Sequence, residues 1–181
     1  MLENILEFDQ NLLLYLNNLG NTNWDAFWFA VTNKLTFIPL YIFLLYLMTN
    51  GQNRKAIFLI VFILVLMITF TDQVTNLFKD GFERLRPCAD KNISHLLRIG
   101  DCRGFGFFSG HSSNSMSAAV FTILFLRSKY RKIIYLMIPW TLLVGYSRIY
   151  IGKHYPLDVL CGWLFGAFAG YIFFKLFKFL K

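Results

Sequence analysis

Residues 56–78 read AIFLIVFILVLMITFTDQVTNLF, and the first charged side chain in that run is Asp72. A helix of about 20 apolar residues crosses a hydrocarbon core roughly 30 Å thick, so this stretch predicts a membrane-spanning helix. The same pattern recurs on either side of it. Further spanning candidates lie at about 26–48, 110–127, 130–149 and 157–175. The first of these is interrupted by Asn33, Lys34 and Pro39. Pro139 and the glycines of the last are tolerable in membrane helices, where neighbouring helices satisfy freed backbone groups. Composition agrees: of 181 residues, 56% are hydrophobic, 19% aromatic and only 15% charged. A soluble domain averages roughly 25% charged, and this much apolar surface excludes a disordered chain.

The N-terminal stretch is of another kind. Ile5, Leu6, Phe8, Leu12, Leu13 and Leu16 approximate one helical face among Asn, Glu and Asp. It is too polar to span, so residues 1–22 are read as an amphipathic helix lying at the membrane surface. Glu3, Glu7 and Asp9, with no Lys or Arg beside them, are the wrong sign for a cleavable signal peptide. The expected fold class is an all-α membrane protein, a helical bundle of about five transmembrane helices plus this interfacial helix. Residues 1–181 form a single domain, with no internal repeat, low-complexity tract or linker to divide them.

The net charge is +8. In a soluble chain that would point to nucleic acid. Here the charges sit in short blocks between apolar runs, which reads as topology plus an anionic substrate and no nucleic-acid partner. Arg54 and Lys55, the block Arg127 to Lys132, and Lys175, Lys178 and Lys181 fall on one side of a five-span bundle. The positive-inside rule makes that side cytoplasmic. The N-terminus, loop 79–109 and turn 150–156 then face outward, and the loop's cations are mixed with Asp80, Glu83, Asp90 and Asp101. Cys88 and Cys102 lie in this loop and Cys161 in the last span. An oxidising outer compartment permits a Cys88–Cys102 disulfide; two free thiols are the alternative.

Three polar clusters interrupt the apolar chain, and all three map to the outward side. In the first, KDGFERLRP (79–87), Lys79 and Arg86 are two helical turns apart. On a continued helix they share a face, with Asn76 and Asp72 below, and two converging cations suit a phosphate dianion. A juxtamembrane basic patch binding anionic headgroups is the competing reading. The second, GFGFFSGHSSNS (104–115), opens a span with small residues, which lets backbone N–H groups approach an anion at a helix N-terminus. Ser109, Ser112 and Ser113 are candidate caps, and an ordinary capped helix start with an incidental His111 is equally open. In the third, SRIYIGKHYPLD (147–158), His154 and Asp158 are four apart. A helical start there sets the carboxylate beside the imidazole, fixing its tautomer and leaving the other ring nitrogen free as a nucleophile; a surface turn with a structural His–Asp contact is the alternative, disfavoured because Asp158 would then be an exposed charge at the head of an apolar span.

Together the clusters resemble the signature of the type 2 phosphatidic acid phosphatase family. Its first part, Lys, six residues, Arg-Pro, is matched by Lys79 to Pro87. Its third, Ser-Arg, five residues, His, three residues, Asp, is matched by Ser147 to Asp158. Its second, Pro-Ser-Gly-His, is matched by Ser109, Gly110 and His111, with Phe108 in place of the proline. The resemblance covers residues 79–158. It implies that His154 is the nucleophile, Asp158 its orienting partner and His111 the acid for the leaving oxygen. It further implies that Lys79, Arg86, Ser109, Gly110 and Arg148 hold the phosphate, and that no metal or other cofactor takes part.

The implied partners are the bilayer and a membrane lipid phosphate. Its implied place is a bacterial inner membrane with the site facing outward. Undecaprenyl diphosphate, phosphatidylglycerophosphate, phosphatidic acid and lipid A all remain open as substrates. Rival activities are phosphoryl transfer to another lipid or sugar, haloperoxidase chemistry in a similar anion pocket, and non-enzymatic anion or lipid transport. Transport is disfavoured because the ionisable groups crowd one side, Lys34 excepted, which reads as a snorkelling residue. His95 and Arg98 read as a solvated loop. Nothing in the residues fixes an oligomeric state.

Overall fold

The structure is a computed structural model describing residues 2–99 and 102–181, with side chains from Glu3 onward. The loop acid Asp101 lies outside the described residues. The chain forms helices α1 (Leu2–Asn18), α2 (Thr22–Thr32), α3 (Ile38–Thr49), α4 (Arg54–Phe82), α5 (Gly110–Leu126), α6 (Ile134–Tyr150) and α7 (Pro156–Leu180).

α4 contains the quoted run and starts where the Asn53 side chain accepts the Ala56 N–H at 2.9 Å. At 1.5 Å per residue its 29 residues extend about 43 Å, more than the hydrocarbon core needs. Its last turns, with Lys79, therefore extend past a core of that thickness. The helix stops at Phe82, with Glu83 in the left-handed conformation at φ 49°. Lys79 and Arg86 thus do not share a continued helix, contrary to expectation.

Among the described residues three helices are long and apolar enough to cross a membrane: Arg54–Phe82, Arg131–Tyr150 and Pro156–Leu180. The span expected at 26–48 is instead α2 and Lys34–Thr49, bent by 67°. The local chemistry explains the break. Asn33 turns its side chain to accept the Leu35 N–H at 3.0 Å, and Pro39 falls in the first turn of α3, where its missing N–H breaks no helical bond. α5 is shorter, at 17 residues, and its first half carries His111, Ser112, Ser113, Asn114, Ser115 and Ser117. It tolerates them because α4, α6 and α7 surround it, so those groups meet protein and not lipid.

α5 and α7 pack with almost no side chain between them. A Cβ on Gly162, Gly166 or Gly170 would run into the carbonyl of Ser109, Ser113 or Ser117 respectively. Small residues every fourth position on both helices allow this approach. The inner half of the bundle is filled by Met48, Ile60, Ile63, Met67, Phe121 and Met137. Phe58, Val65, Leu77, Tyr135, Leu164 and Phe168 are exposed on its outside, an apolar surface suited to lipid.

α1 docks by its polar side. Asp9, Leu13 and Asn17 form its buried stripe, while Ile5, Leu6, Phe8, Tyr15 and Leu19 are exposed. Of the face expected from periodicity, Leu13 therefore points inward. Asn17 donates to the carbonyls of Ile149 and Tyr150 at 3.1 and 2.6 Å and accepts the Arg98 N–H at 3.0 Å. These bonds lay α1 across the turn between α6 and α7. Arg98, expected in a solvated loop, also pairs with Asp25. At the far end of the bundle Lys181 reaches Gln52.

Candidate active site

The turn that α1 covers carries His154. The residue is only 2% exposed, and its backbone N–H donates to the Arg148 carbonyl at 3.3 Å. Pro156 then opens α7 and puts Asp158 in the first turn, fully buried. Asp158 Oδ2 lies 3.5 Å from His154 Nδ1. That is an ion-pair distance and too long for a hydrogen bond, and Nδ1 has no hydrogen-bond partner among the described residues. Oδ2 instead accepts the Tyr155 N–H at 3.0 Å, and Oδ1 accepts from Arg84 at 2.7 Å. Burial pushes the His154 imidazole down to about 4; Asp158 opposes that shift and the nearby Arg148 adds to it. The ring is therefore neutral near pH 7.

Ser109 caps α5. Its Oγ accepts the Ser112 N–H at 3.4 Å and the Ser112 hydroxyl at 3.0 Å. Its own N–H donates to the Asp158 carbonyl at 2.9 Å, tying the start of α5 to the start of α7. The Ser113 N–H is also taken, by the Ser109 carbonyl. Among the described residues the N–H groups of Gly110 and His111 are the first-turn donors not taken by these bonds, and the helix dipole there favours an anion. The Lys79 Nζ lies 3.8 Å from where a Cβ on Gly110 would stand, so the start of α5 borders this cation.

Arg86 arrives by the loop. Leu85 bridges to Phe105, the Arg86 N–H donates to the Gly104 carbonyl at 3.3 Å, and Nε donates to the Phe105 carbonyl at 3.1 Å. Cys88 is bonded to Cys102 across a Cα–Cα distance of 5.4 Å, and the Cys88 N–H donates to the Gly152 carbonyl at 3.0 Å. The loop is thereby fastened to the His154 turn. Arg148, in the last turn of α6, is buried and donates to the Thr32 hydroxyl, while its Nε has no partner. His111 borders this cation and feels the charge of both Arg148 and His154.

The structure thus brings together Lys79, Arg86, Ser109, Gly110, His111, Arg148, His154 and Asp158. It adds Lys153, whose ammonium is pushed down by burial and by Arg148 and Arg86. Among the described residues none of Lys79, Arg86 and Arg148 forms an ion pair with a carboxylate. Arg148 is buried and Lys79 and Arg86 are partly so; cations drawn out of water without a paired carboxylate are costly, and a phosphoryl group could meet their need with three equatorial oxygens.

Below His111 a cavity of about 360 Å³ extends between α3, α4, α5 and α6, lined by Tyr41, Leu45, Ile68, Ala118 and Trp140 among others. Lys34 also lines it. Sequence reasoning placed Lys34 at the lipid interface and gave no role to Arg84 or Asp9, which the fold sets against Asp158. The one signal for Arg84 was its place two residues before Arg86.

A bundle with this cationic pocket at one end defines a membrane phosphatase. Residues 60–181 match the model of the PAP2 superfamily, and the chain belongs to that family of lipid phosphatases. It is 35% identical over 179 residues to a lipid A 4'-phosphatase of Bacteroides thetaiotaomicron, covering 96% of this chain and 79% of the relative. It is 31% identical over 186 residues to a lipid A 4'-phosphatase of Porphyromonas gingivalis, covering 99% and 77%. Among solved structures, the PAP2-type phosphatidylglycerolphosphate phosphatase of Bacillus subtilis superposes with a TM-score of 0.78 at 21% identity, over 98% of this chain and 88% of that one. That likeness shows the fold. The chain is an integral membrane phosphoric ester hydrolase.

Proposed function

We propose that this enzyme removes the 4'-phosphate of lipid A through a phosphohistidine on His154, at the outer face of a bacterial inner membrane. The observation that carries the substrate is the 35% identity running through 96% of the chain, including the helices around the cavity. The chemistry rests on the pocket. Nδ1 of His154 faces Asp158, which leaves Nε2 to attack phosphorus in line with the departing oxygen. The N–P bond forms as the P–O bond to the sugar breaks, and His111 gives that oxygen its proton. Lys79, Arg86 and Arg148 offset charge on the equatorial oxygens, with the Gly110 and His111 N–H groups as fixed dipoles. Water, deprotonated by His111, then cleaves the N–P bond and releases phosphate. The outward orientation rests on Arg54, Lys55, the 127–132 block and the C-terminal lysines lying at the opposite end.

The test is phosphate release by the purified chain, with EDTA present, from lipid A, undecaprenyl diphosphate, phosphatidic acid and phosphatidylglycerophosphate. Lipid A is expected to turn over fastest, with mass spectrometry placing the loss at the 4' position. Preference for another lipid, or loss at the 1 position, overturns the substrate. His154→Ala is expected to bind lipid and release nothing; near-normal release removes His154 as nucleophile. Product that forms only when an acceptor lipid or sugar is added would make the enzyme a phosphotransferase.

A further inference from the structure

Asp158 is held from its far side by a group outside the three motif clusters' assigned residues. Arg84 donates from Nη1 to Asp158 Oδ1 and from Nη2 to Asp9 Oδ2, both at 2.7 Å. Its guanidinium lies 3.9 Å over the Tyr155 ring. Asp9 is 1% exposed, and its other oxygen accepts the Leu157 N–H at 2.8 Å. Two buried carboxylates from α1 and α7 therefore share one planar cation, and every oxygen of both is engaged.

This geometry has a mechanical consequence. Among the described residues His154 Nδ1 has no hydrogen-bond partner, and Asp158 Oδ2 stands 3.5 Å from it, so the tautomer and tilt of the imidazole depend on where that carboxylate is pinned. Tyr155 N–H fixes one oxygen; Arg84 fixes the other. Arg84 in turn is aimed by Asp9, because a fork between two carboxylates has one orientation that serves both. Without Arg84, two like charges remain buried on neighbouring elements, and Asp158 has reason to turn away from the ring.

We propose that Arg84 and Asp9 are positioning residues for the nucleophile, and that α1 is through them a working part of the active site. The inference rests on the reading of His154 as the nucleophile. Neither residue touches phosphate. Their loss acts on the rate of His154 attack and leaves the Lys79, Arg86 and Arg148 cradle in place.

The experiment measures kcat and KM for lipid A, and inhibition by inorganic phosphate, in detergent-purified full-length variants whose Tm is checked alongside. Arg84→Gln is expected to lower kcat by about 30-fold or more while KM and the phosphate inhibition constant stay within about threefold, the pattern of a lost transition-state interaction. Arg84→Lys, which keeps the charge and one bond, is expected to recover part of the rate and carries the test if Arg84→Gln does not fold. Asp9→Asn is expected to cost about tenfold alone and little further in an Arg84→Gln background, since coupled residues are not additive. The proposal falls if Arg84→Gln or Arg84→Lys keeps normal kcat, if rate and phosphate inhibition are lost together with Tm, or if Asp9→Asn costs the same with and without Arg84. Normal release by His154→Ala in the same series breaks the parent reading, and this one with it. A dead His154→Ala beside a normal Arg84→Gln breaks this inference alone.

Discussion

The two flanks of α5 are built on opposite principles. Toward α7, Ser109, Ser113 and Ser117 meet Gly162, Gly166 and Gly170 backbone to backbone. Toward α3, the same helix borders a cavity of about 360 Å³. The tight flank carries the parts whose placement decides a phosphoryl transfer: the Ser109 cap, the Asp158 carbonyl bonded to it, and the His154 turn. The loose flank begins at His111, on the side where the leaving group departs in the proposed mechanism. A phosphate demands fixed donors within a few tenths of an ångström, whereas a lipid body demands only apolar room.

Closing the tight flank is expected to have the largest effect. In Gly166→Val, Cβ overlaps the Ser113 carbonyl, and neither partner is a flexible side-chain end. Overpacking costs about 1–3 kcal/mol where neighbours can shift and more where they cannot. The variant is expected to lose most folded protein from detergent extracts, and the remainder is expected to lack phosphate release. A well-folded, active Gly166→Val would mean that the α5–α7 contact has slack. Filling the loose flank is expected to act on substrate choice. Ala118→Phe puts a ring into the cavity; KM for lipid A is expected to rise about tenfold while hydrolysis of a chain-free aryl phosphate stays within about twofold. Equal losses on both substrates would detach the cavity from lipid binding.

The two flanks also differ in what the sequence disclosed. The glycines of α7 and the serines of α5 stand at plain four-residue spacing, and α4 announces itself by hydropathy. The motif residues could be found because each cluster is contiguous in sequence and its chemistry is local: a cap, a basic helix end, a His four before an Asp. The bend at Asn33 was signalled by Asn33, Lys34 and Pro39 but read as interruptions of one span, since polarity does not state an angle. Asp9 and Asn17 looked like the wet side of an interfacial helix. They are its dry side, because their partners, Arg84 and the Ile149 and Tyr150 carbonyls, come from segments more than 70 residues away. Buried polar pairing across such distances leaves no periodic trace.

The smallest expected effect concerns pH, and it separates the two histidines by flank. His111 borders the loose side and is half-buried, whereas His154 is sealed into the tight side. In the proposed mechanism attack needs the neutral His154 imidazole. An ordinary histidine would be half protonated at pH 6.5, so its activity would fall by half there. Burial first, with Arg148 assisting against Asp158, sets His154 down to about 4. Its lowered value means that the active form persists as pH falls and is lost only as pH passes through that value. Corrected for ionisation of the substrate phosphate and of His111, which must carry the proton it gives the leaving oxygen, kcat/KM is therefore expected to show no falling limb between pH 7 and 5.5. Asp158→Asn removes the charge that favours the imidazolium, so its limb is expected to move lower still even as its rate drops. A limb near 6.5 in the unsubstituted enzyme would place His154 in contact with water and remove the contrast between the flanks at the residue where it matters most.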